Sequence, residues 1–366
     1  MISSIFPPRQ HLRARLEGGS IPGRRWIWAA VLGLAGAVAI WLLYRALYSR
    51  GFDWRLVRSS FAHVRWIWFF LAVLFIYASY WGRALRWAVF LKPLRARPSM
   101  RNLLTATVIG FTAITLLGRP GEFVRPYLIA IKEKVPVTSQ LAAWFLERMF
   151  DLLMSLVLFG FALGRITSSG VALGPQLSWV LSVGGRLIGF ASVALLIILI
   201  LFRHFAEPAR RWILRSLEFL SAAKLARAEK LVSAFVQGVE STRSDAALVL
   251  VLTYSVLEWA LITGCFWCLA TSFADINLSI VDVLILIGFV SLGGVIQIPG
   301  VGGGVQVVVI LLLTELFGIR LELATTFAFL VWILTFVAIV PAGVLMMLKE
   351  GLDWQKLRRL DSAGPV

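Results

Sequence analysis

Gly118-Arg119-Pro120-Gly121-Glu122 interrupts an apolar segment that runs from residue 103 to residue 131. A second apolar segment, 280–317, is interrupted by Ile298-Pro299-Gly300-Val301-Gly302-Gly303-Gly304. A helix needs about 20 apolar residues to cross the hydrocarbon core of a bilayer, and each half of these two segments is shorter than that. The two segments therefore predict re-entrant helical hairpins, each of which enters and leaves the membrane on one side.

The rest of the chain contains long continuous apolar segments. The sequence is 59% hydrophobic and 15% charged, whereas soluble domains have roughly 45–50% apolar and about 25% charged residues. This composition excludes a soluble globular protein. Six segments have the length of full transmembrane helices: 26–44, 66–91, 137–163, 186–202, 246–272 and 324–348. The predicted fold class is an all-α polytopic membrane protein with about six full transmembrane helices plus two re-entrant helical hairpins.

Basic residues orient these segments. Residues 1–25 contain five arginines, and the apolar run that follows is too long for a signal peptide, so no cleavable signal is expected. The positive-inside rule then predicts cytoplasmic N- and C-termini in a bacterial inner membrane, with a cytoplasmic helical segment at 203–245. The membrane domain is 26–348 and the cytoplasmic tail is 349–366. Residues 45–65 carry five arginines on the external side, so this segment either lies along the interface or the first span is misplaced.

Two parts of the chain have the same order of segments. Residues 66–163 and 246–348 each contain a span, an interrupted hairpin and a second span, and the predicted topology gives them opposite orientations. Paired Gly/Pro-interrupted segments in inverted halves point to a transporter site near the midplane. The alternative is that glycine and proline serve helix packing alone.

Ionisable residues at membrane depth are the candidate site, because each costs about 2.5–3.5 kcal/mol to insert. They are Arg83, Arg86, Arg119, Glu122, Arg125, Glu147, Arg148, Asp151 and Glu258. Glu147 and Asp151 lie four residues apart and share a helix face, so either Arg119 or Arg125 is their expected partner. Glu258 is either paired with the arginines or protonated. The alternative for the whole group is an ion-pair network that only fastens one helix to another.

Other classes of protein find little support. The net charge of +17 is 36 basic minus 19 acidic residues, but the charges lie between apolar spans, so no nucleic acid partner is expected. The chain has three histidines, all in extramembrane segments, and no ATP-binding glycine motif, so no enzymatic activity, metal or cofactor is expected. Cys265 and Cys268 read as buried small hydrophobes more than as a redox or metal site. Glu315 is expected to reach the interface between membrane and water.

Arg119-Pro120-Gly121-Glu122-x-x-Arg125, Glu147-Arg148-x-x-Asp151 and Pro299-Gly300-x-x-Gly303 resemble the lysylphosphatidylglycerol synthase transmembrane-region family, often described as flippase-like. The resemblance covers about residues 25–348. It implies lipid movement across the bilayer without the synthase reaction, since only about 18 residues follow the last span, whereas larger members continue into a soluble synthase domain. Gln306 stands where an acidic residue is common, and Val301 where glycine is frequent, so the resemblance does not carry proton coupling over to this chain.

The sequence therefore predicts a flippase for an anionic or amphiphilic lipid: a phospholipid, polyprenyl phosphate, hopanoid or glycolipid. Arg119 and Arg125 would hold the headgroup, and Glu122, Glu147 and Asp151 would position them or exchange a proton. The opposite gate would comprise Pro299, Gly300, Gly302, Gly303 and Gln306. Mass action or a proton or ion gradient would supply the energy. The alternatives are a scaffold for a lipid-synthesis enzyme, docked through 203–245, and a lipid-modifying enzyme; a homo-oligomer is compatible with either.

Overall fold

The computed structural model describes residues 52–168, 175–217, 222–239, 244–293, 297–298 and 302–351. The chain divides into two units, residues 1–53 and 54–366, and the helices of the described residues all belong to the second. The predicted N-terminal segment 1–25, the predicted span 26–44 and nearly all of the tail at 349–366 lie outside the described residues.

Helices make up almost all of the described part of the chain. Their bounds are α1 Trp54–Ala62, α2 Trp66–Leu91, α3 Met100–Leu117, α4 Val124–Glu133, α5 Val137–Ser168, α6 Pro175–Ser216, α7 Ala222–Val239, α8 Asp245–Thr271, α9 Ile280–Gly293, α10 Gly304–Glu315, α11 Leu321–Trp332 and α12 Ile339–Lys349. A π-helical turn, Ile333–Val337, joins α11 to α12. Strands β1 Gln297–Ile298 and β2 Gly302–Gly303 form one short antiparallel pair.

Helix ends follow local sequence. Ser99 caps α3, because its side chain accepts a hydrogen bond from the Asn102 N–H, and Ser244 caps α8 in the same way through Ala247. The α3 helix ends at Gly118, which has a φ of 73°, a left-handed conformation that glycine adopts at no steric cost.

Five described helical segments are long and apolar enough to cross a membrane: Trp66–Leu91, Met100–Leu117, Val137–Ser168, Asp245–Thr271 and Leu321–Lys349. An all-α membrane protein is thus confirmed, and four of the six predicted spans correspond to these helices. The predicted count changes in two places. Span 186–202 lies within α6, whose apolar part, Val183–Leu195, is short for a crossing. Conversely, α3 has the length of a span, although it was predicted to be half of a hairpin.

The two interrupted segments have different turns. In the first, a 3-10 helix, Arg119–Phe123, joins α3 to α4. In the second, α9 and α10 have 14 and 12 residues, which corresponds to lengths of about 21 and 18 Å. Both are shorter than the roughly 30 Å hydrocarbon core. The β1–β2 pair turns the chain between them, and the Gly303 N–H donates a hydrogen bond to Gln306 Oε1 at 2.7 Å.

The first long helices of the two predicted repeat units, α2 and α8, pack antiparallel along their lengths. Near one end the Arg65 side chain donates to the Thr271 carbonyl. Further along, the Arg86 guanidinium donates to the Ser255 hydroxyl at 2.9 Å. Residue numbers thus rise along α2 as they fall along α8, which is the direction expected for units of opposite orientation.

Two further contacts between the predicted repeat units are reciprocal. Helix α3, which enters the first hairpin, packs on α12 at the end of the second unit; α9, which enters the second hairpin, packs on α5 at the end of the first. The Pro120-Gly121 and Pro299-Gly300 pairs are 179 residues apart (299 minus 120), as are the first residues of α2 and α8 (245 minus 66). If the two predicted repeat units are exchanged, the same pairs of helices are in contact, and corresponding residues remain 179 positions apart.

Two large apolar clusters and one small cluster form the core of the described residues, and the two large clusters are separated along three helices. On α2 one large cluster ends at Tyr80 and the other begins at Ala84; on α5 the boundary lies between Phe150 and Phe159, and on α8 between Val251 and Cys265. A charged residue lies in each of these intervals: Arg83, Asp151 and Glu258. Cys265 and Cys268 are buried free thiols inside the first apolar cluster.

Candidate functional site

Seven charged side chains from four helices meet at or beside the boundary between the two large apolar clusters, and we call them the ion network. Its members are Arg83 and Arg86 on α2, Arg125 on α4, Glu147, Arg148 and Asp151 on α5, and Glu258 on α8. All seven were singled out from the sequence. Because residues three or four apart share a helix face, α2 and α5 each present their network members to the same side.

Arg86 is the centre of the ion network, and its side chain is fully buried. Its Nη2 atom lies 2.9 Å from Glu147 Oε1, 2.8 Å from Asp151 Oδ1 and 3.2 Å from Glu258 Oε2. Its Nη1 atom donates to the Ser255 hydroxyl at 2.9 Å. One guanidinium thus joins α2 to both α5 and α8, and the planar donor geometry of arginine suits several oxygen partners at once.

Arg125 is the second buried cation of the ion network. Its Nη1 atom donates to both oxygens of Glu147, at 2.9 and 3.0 Å, and its Nη2 atom donates to the Arg83 carbonyl at 3.1 Å. The guanidinium carbon lies 4.2 Å from the centre of the Trp87 ring. These contacts fix α4, which is the second half of the first hairpin, against α2 and α5.

Glu258 belongs to the ion network, as the first of the two alternatives left by the sequence expects. Its Oε1 lies 2.6 Å from Arg83 Nη2 and its Oε2 lies 3.2 Å from Arg86 Nη2. The carboxylate is thus paired with the arginine cluster across α2 and α8. The Arg83 guanidinium also lies 4.7 Å from the centre of the Phe111 ring on α3.

The 3-10 turn of the first hairpin carries a second, more exposed ion pair. Arg119 Nη1 lies 3.0 Å from Glu122 Oε1, and 54% of the Arg119 side chain is exposed. Of the two partners expected for Glu147 and Asp151, the structure places Arg125 on Glu147 and pairs Arg119 with Glu122. Glu147 and Asp151 share two cations, Arg86 and Arg148, and the sequence had assigned neither of them as the partner.

At the turn of the second hairpin, the described polar groups are backbone groups and the amide of Gln306. Gly302 and Gly303 lie in strand β2, and Gln306 caps the start of α10 through its Oε1. The Gln306 Nε2 atom is buried without a hydrogen-bond partner among the described residues. Pro299 and Gly300 lie outside the described residues.

Sequence reasoning missed three residues that support the ion network: Ser255, Trp87 and Phe111. Ser255 lies three residues before Glu258 and therefore on the same face of α8. Trp87 follows Arg86 directly, and an aromatic residue beside a buried arginine is a weak signal for stacking. The sequence does not indicate a role for Phe111, because α3, which carries it, comes close to Arg83 only in the folded protein.

Gly121 is the position where the first hairpin folds back most closely on α3. A Cβ atom built there would lie 2.4 Å from the Ala113 carbonyl carbon and oxygen and 2.5 Å from the Ile114 nitrogen. Backbone atoms cannot move aside as a side chain can, so Gly121→Ala must displace the 3-10 turn. We expect this variant to lower the melting temperature of the purified protein by several degrees, for about 1–3 kcal/mol of overpacking.

The matched control for this substitution is Gly160→Ala on α5, where a Cβ atom would meet nothing within 4 Å. Thermal unfolding of both variants in the same detergent checks the prediction. Equal melting temperatures for Gly121→Ala and the wild type would contradict the close approach.

These features define a polytopic membrane protein with two interrupted hairpins and a buried ion network. The chain belongs to the family described as lysylphosphatidylglycerol synthase TM region, which it matches over residues 26–343. This match confirms the resemblance drawn from the three motifs. No curated protein and no solved structure matches the chain.

Proposed function

We propose that the protein moves a membrane lipid between the two leaflets of a bacterial inner membrane. The observation that carries this proposal is the pair of interrupted hairpins in two units whose first helices run antiparallel. Inverted repeats with broken helices are a typical architecture of secondary transporters, and broken backbone at membrane depth must be covered by protein or line a wet cavity. Membership of the family supports a role connected with membrane lipids.

Within this proposal the arginines have two different tasks. Arg86 and Arg125 are buried; Arg86 pairs with three carboxylates and Arg125 with Glu147, so they position the helices around the first hairpin. Arg119 is half-exposed at the hairpin turn, so it contacts the headgroup. This assignment keeps Arg119 from the sequence prediction and changes the role of Arg125. The Gly-rich turn before α10 would form the opposite gate, and an ion gradient or mass action would supply the energy.

A scaffold function has one observation in its favour. The end of α6, a region predicted to be cytoplasmic, exposes Arg211, Trp212 and Arg215. Basic residues beside an exposed tryptophan suit either an anionic membrane surface or a partner enzyme. The scaffold alternative predicts no lipid exchange by the purified protein, so one experiment separates it from the transporter.

The experiment is leaflet exchange in liposomes that contain purified protein and a fluorescent lipid, with chemical bleaching of the outer leaflet. We expect the wild type to expose nearly all of the dye to bleaching, whereas protein-free liposomes protect about half. Arg119→Ala should slow exchange about tenfold or more, as expected for loss of a hydrogen bond to a charged group. Insertion and melting temperature should stay unchanged, because the side chain is half-exposed.

The matched control is Arg101→Ala, an exposed arginine in the first turn of α3. It removes the same charge from the helix that leads into the hairpin turn. Exchange by the Arg119→Ala variant at the wild-type rate would sink the headgroup assignment. Absence of exchange by the wild type for every anionic and neutral lipid tested would refute the transporter and favour the scaffold.

A further inference from the structure

Arg148 is the arginine of the ion network that is open to the outside. Its side chain is 36% exposed, compared with 14% for Arg83, 5% for Arg125 and full burial for Arg86. Its carboxylate contacts are also longer: Nη2 lies 3.3 Å from Asp151 Oδ2 and 3.7 Å from Glu147 Oε2. Arg86 and Arg125 each have contacts of 2.9 Å or less. The Arg148 guanidinium can therefore take an additional anionic partner.

Apolar side chains lie on the same face of α5 as Arg148. Trp144 and Leu152 lie four residues before and after it on α5 and so on the same face. Leu152 is exposed, and so is Phe123 of the 3-10 turn, whose ring centre lies 5.3 Å from that of Trp144. A cation bordered by exposed aromatic and aliphatic groups suits the phosphate and acyl chains of a lipid better than a free phosphate ion in water.

The charges of the described ion network do not balance. Four arginines and three carboxylates give a net charge of +1 (four minus three), and the neighbouring pair Arg119–Glu122 adds zero. Protonation of any carboxyl would make the sum more positive. A bound phosphate diester, with one negative charge, would neutralise the excess, whereas a headgroup with a net positive charge would increase it.

We propose that Arg148 binds the phosphate of a lipid whose headgroup is net negative, and that the ion network excludes lipids with a net positive headgroup, aminoacylated phosphatidylglycerol included. The proposal deepens the proposed lipid transport by naming its substrate class. Its test, however, is equilibrium binding, which does not require movement between leaflets.

The binding experiment uses the purified full chain in a neutral detergent. Phosphatidylglycerol, phosphatidylethanolamine and lysylphosphatidylglycerol are added in turn, and bound lipid is measured by native mass spectrometry. Phosphatidylglycerol is expected to bind about ten- to a hundredfold more tightly than lysylphosphatidylglycerol, with phosphatidylethanolamine between them, from the value of a charged hydrogen bond. Glycerol 3-phosphate provides the soluble anion, and we expect it not to displace phosphatidylglycerol at equal concentration.

Charge substitution at Arg148 gives the decisive comparison. Arg148→Gln makes the network neutral (three minus three), so the preference for phosphatidylglycerol over phosphatidylethanolamine should disappear. Arg148→Glu makes it −1 (three minus four), so lysylphosphatidylglycerol should become the preferred lipid. The control, Arg165→Glu, makes the same charge change at an exposed position of α5 and should keep the wild-type order. If Arg148→Glu does not fold, Arg148→Gln still decides the matter.

The outcomes separate this proposal from the proposed function. Equal binding of the three lipids by the wild type, or an unchanged order in both Arg148 variants, would overturn it. Displacement of phosphatidylglycerol by glycerol 3-phosphate would overturn the lipid assignment in favour of a free phosphate. Leaflet exchange without headgroup preference would leave transport standing and refute the charge selection. Selective binding without any exchange would refute transport and leave the selection standing.

Discussion

Arg86→Met is expected to prevent most of the protein from accumulating in a folded, monodisperse form. Methionine fills a similar volume but leaves the carboxylates of Glu147, Asp151 and Glu258 without the cation that lies 2.8–3.2 Å from each. Removing one partner from a buried ion pair costs about 3–5 kcal/mol. That is a large share of the 5–15 kcal/mol that typically separates folded from unfolded protein. Size-exclusion yield and thermal unfolding in detergent measure the loss.

The control is Arg165→Met, which makes the same replacement at an exposed position on α5. Arg86→Lys tests the geometry, because a single ammonium group cannot reproduce the planar donor arrangement of a guanidinium around several oxygens. We expect the lysine variant to fold but to melt several degrees lower. A wild-type yield and melting temperature for Arg86→Met would show that Arg86 does not hold α5 and α8 together.

The members of the ion network could be found from sequence because charge at membrane depth is expensive and therefore rare. Their partners could not. Arg86 lies 61 residues from Glu147 and 169 residues from Ser255 along the chain. Helical spacing relates residues on one helix, so it grouped Glu147 with Asp151 but carried no information on which neighbouring helix would supply their cation.

The interruptions of the two apolar segments were predictable for a similar reason, since glycine and proline at membrane depth interrupt a helix wherever they occur together. The number of full spans could not be predicted in this way. Helix α3 has 18 residues, a length at the lower limit for a crossing. Composition cannot decide whether such a helix spans the bilayer or ends within it, because the outcome depends on tilt and on the helices packed around it.

The sequence also could not predict how exposed each arginine side chain would be. Arg119, Arg125 and Arg148 all stand near the first hairpin in sequence, yet the first is half-exposed, the second is buried and the third lies between them. Exposure depends on which helices cover each side chain. The roles that we propose for Arg119 and Arg148 in contacting the headgroup, and for Arg125 in positioning helices, therefore depend on the fold.

Helices α3 and α12 join the two predicted repeat units. At their contact the backbone of Gly343 lies close against the side chain of Thr112. A Cβ atom built on Gly343 would lie 1.8 Å from Thr112 Oγ1 and 2.6 Å from Thr112 Cβ. The Thr112 hydroxyl donates to the Ile339 carbonyl at 3.3 Å, and on α2 the Tyr77 hydroxyl donates to the Ala338 carbonyl at 2.6 Å. Both carbonyls lie beside the π-helical turn, near Pro341, so side-chain hydroxyls from the first unit stabilise an irregular part of the second.

Gly343→Ala is therefore expected to push α12 away from α3 and to break the Thr112 hydrogen bond. The cost should reach or exceed the 1–3 kcal/mol typical of overpacking, so the melting temperature should fall by several degrees. Leaflet exchange should slow as well, because the reciprocal contact between the units is the one altered. Thermal unfolding and exchange are measured on the same preparation, with Gly160→Ala as the control in open space.

A double variant identifies the cause of this effect. Thr112→Gly removes all three Thr112 side-chain atoms that the added methyl group would meet, so Gly343→Ala should cost clearly less in the Thr112→Gly background than in the wild type. Residues in contact commonly show such coupling, of about 0.5–3 kcal/mol, whereas distant residues add independently. Additive losses in the double variant would place the damage elsewhere on α12, and a Gly343→Ala protein as stable as the wild type would contradict the packing of the two units.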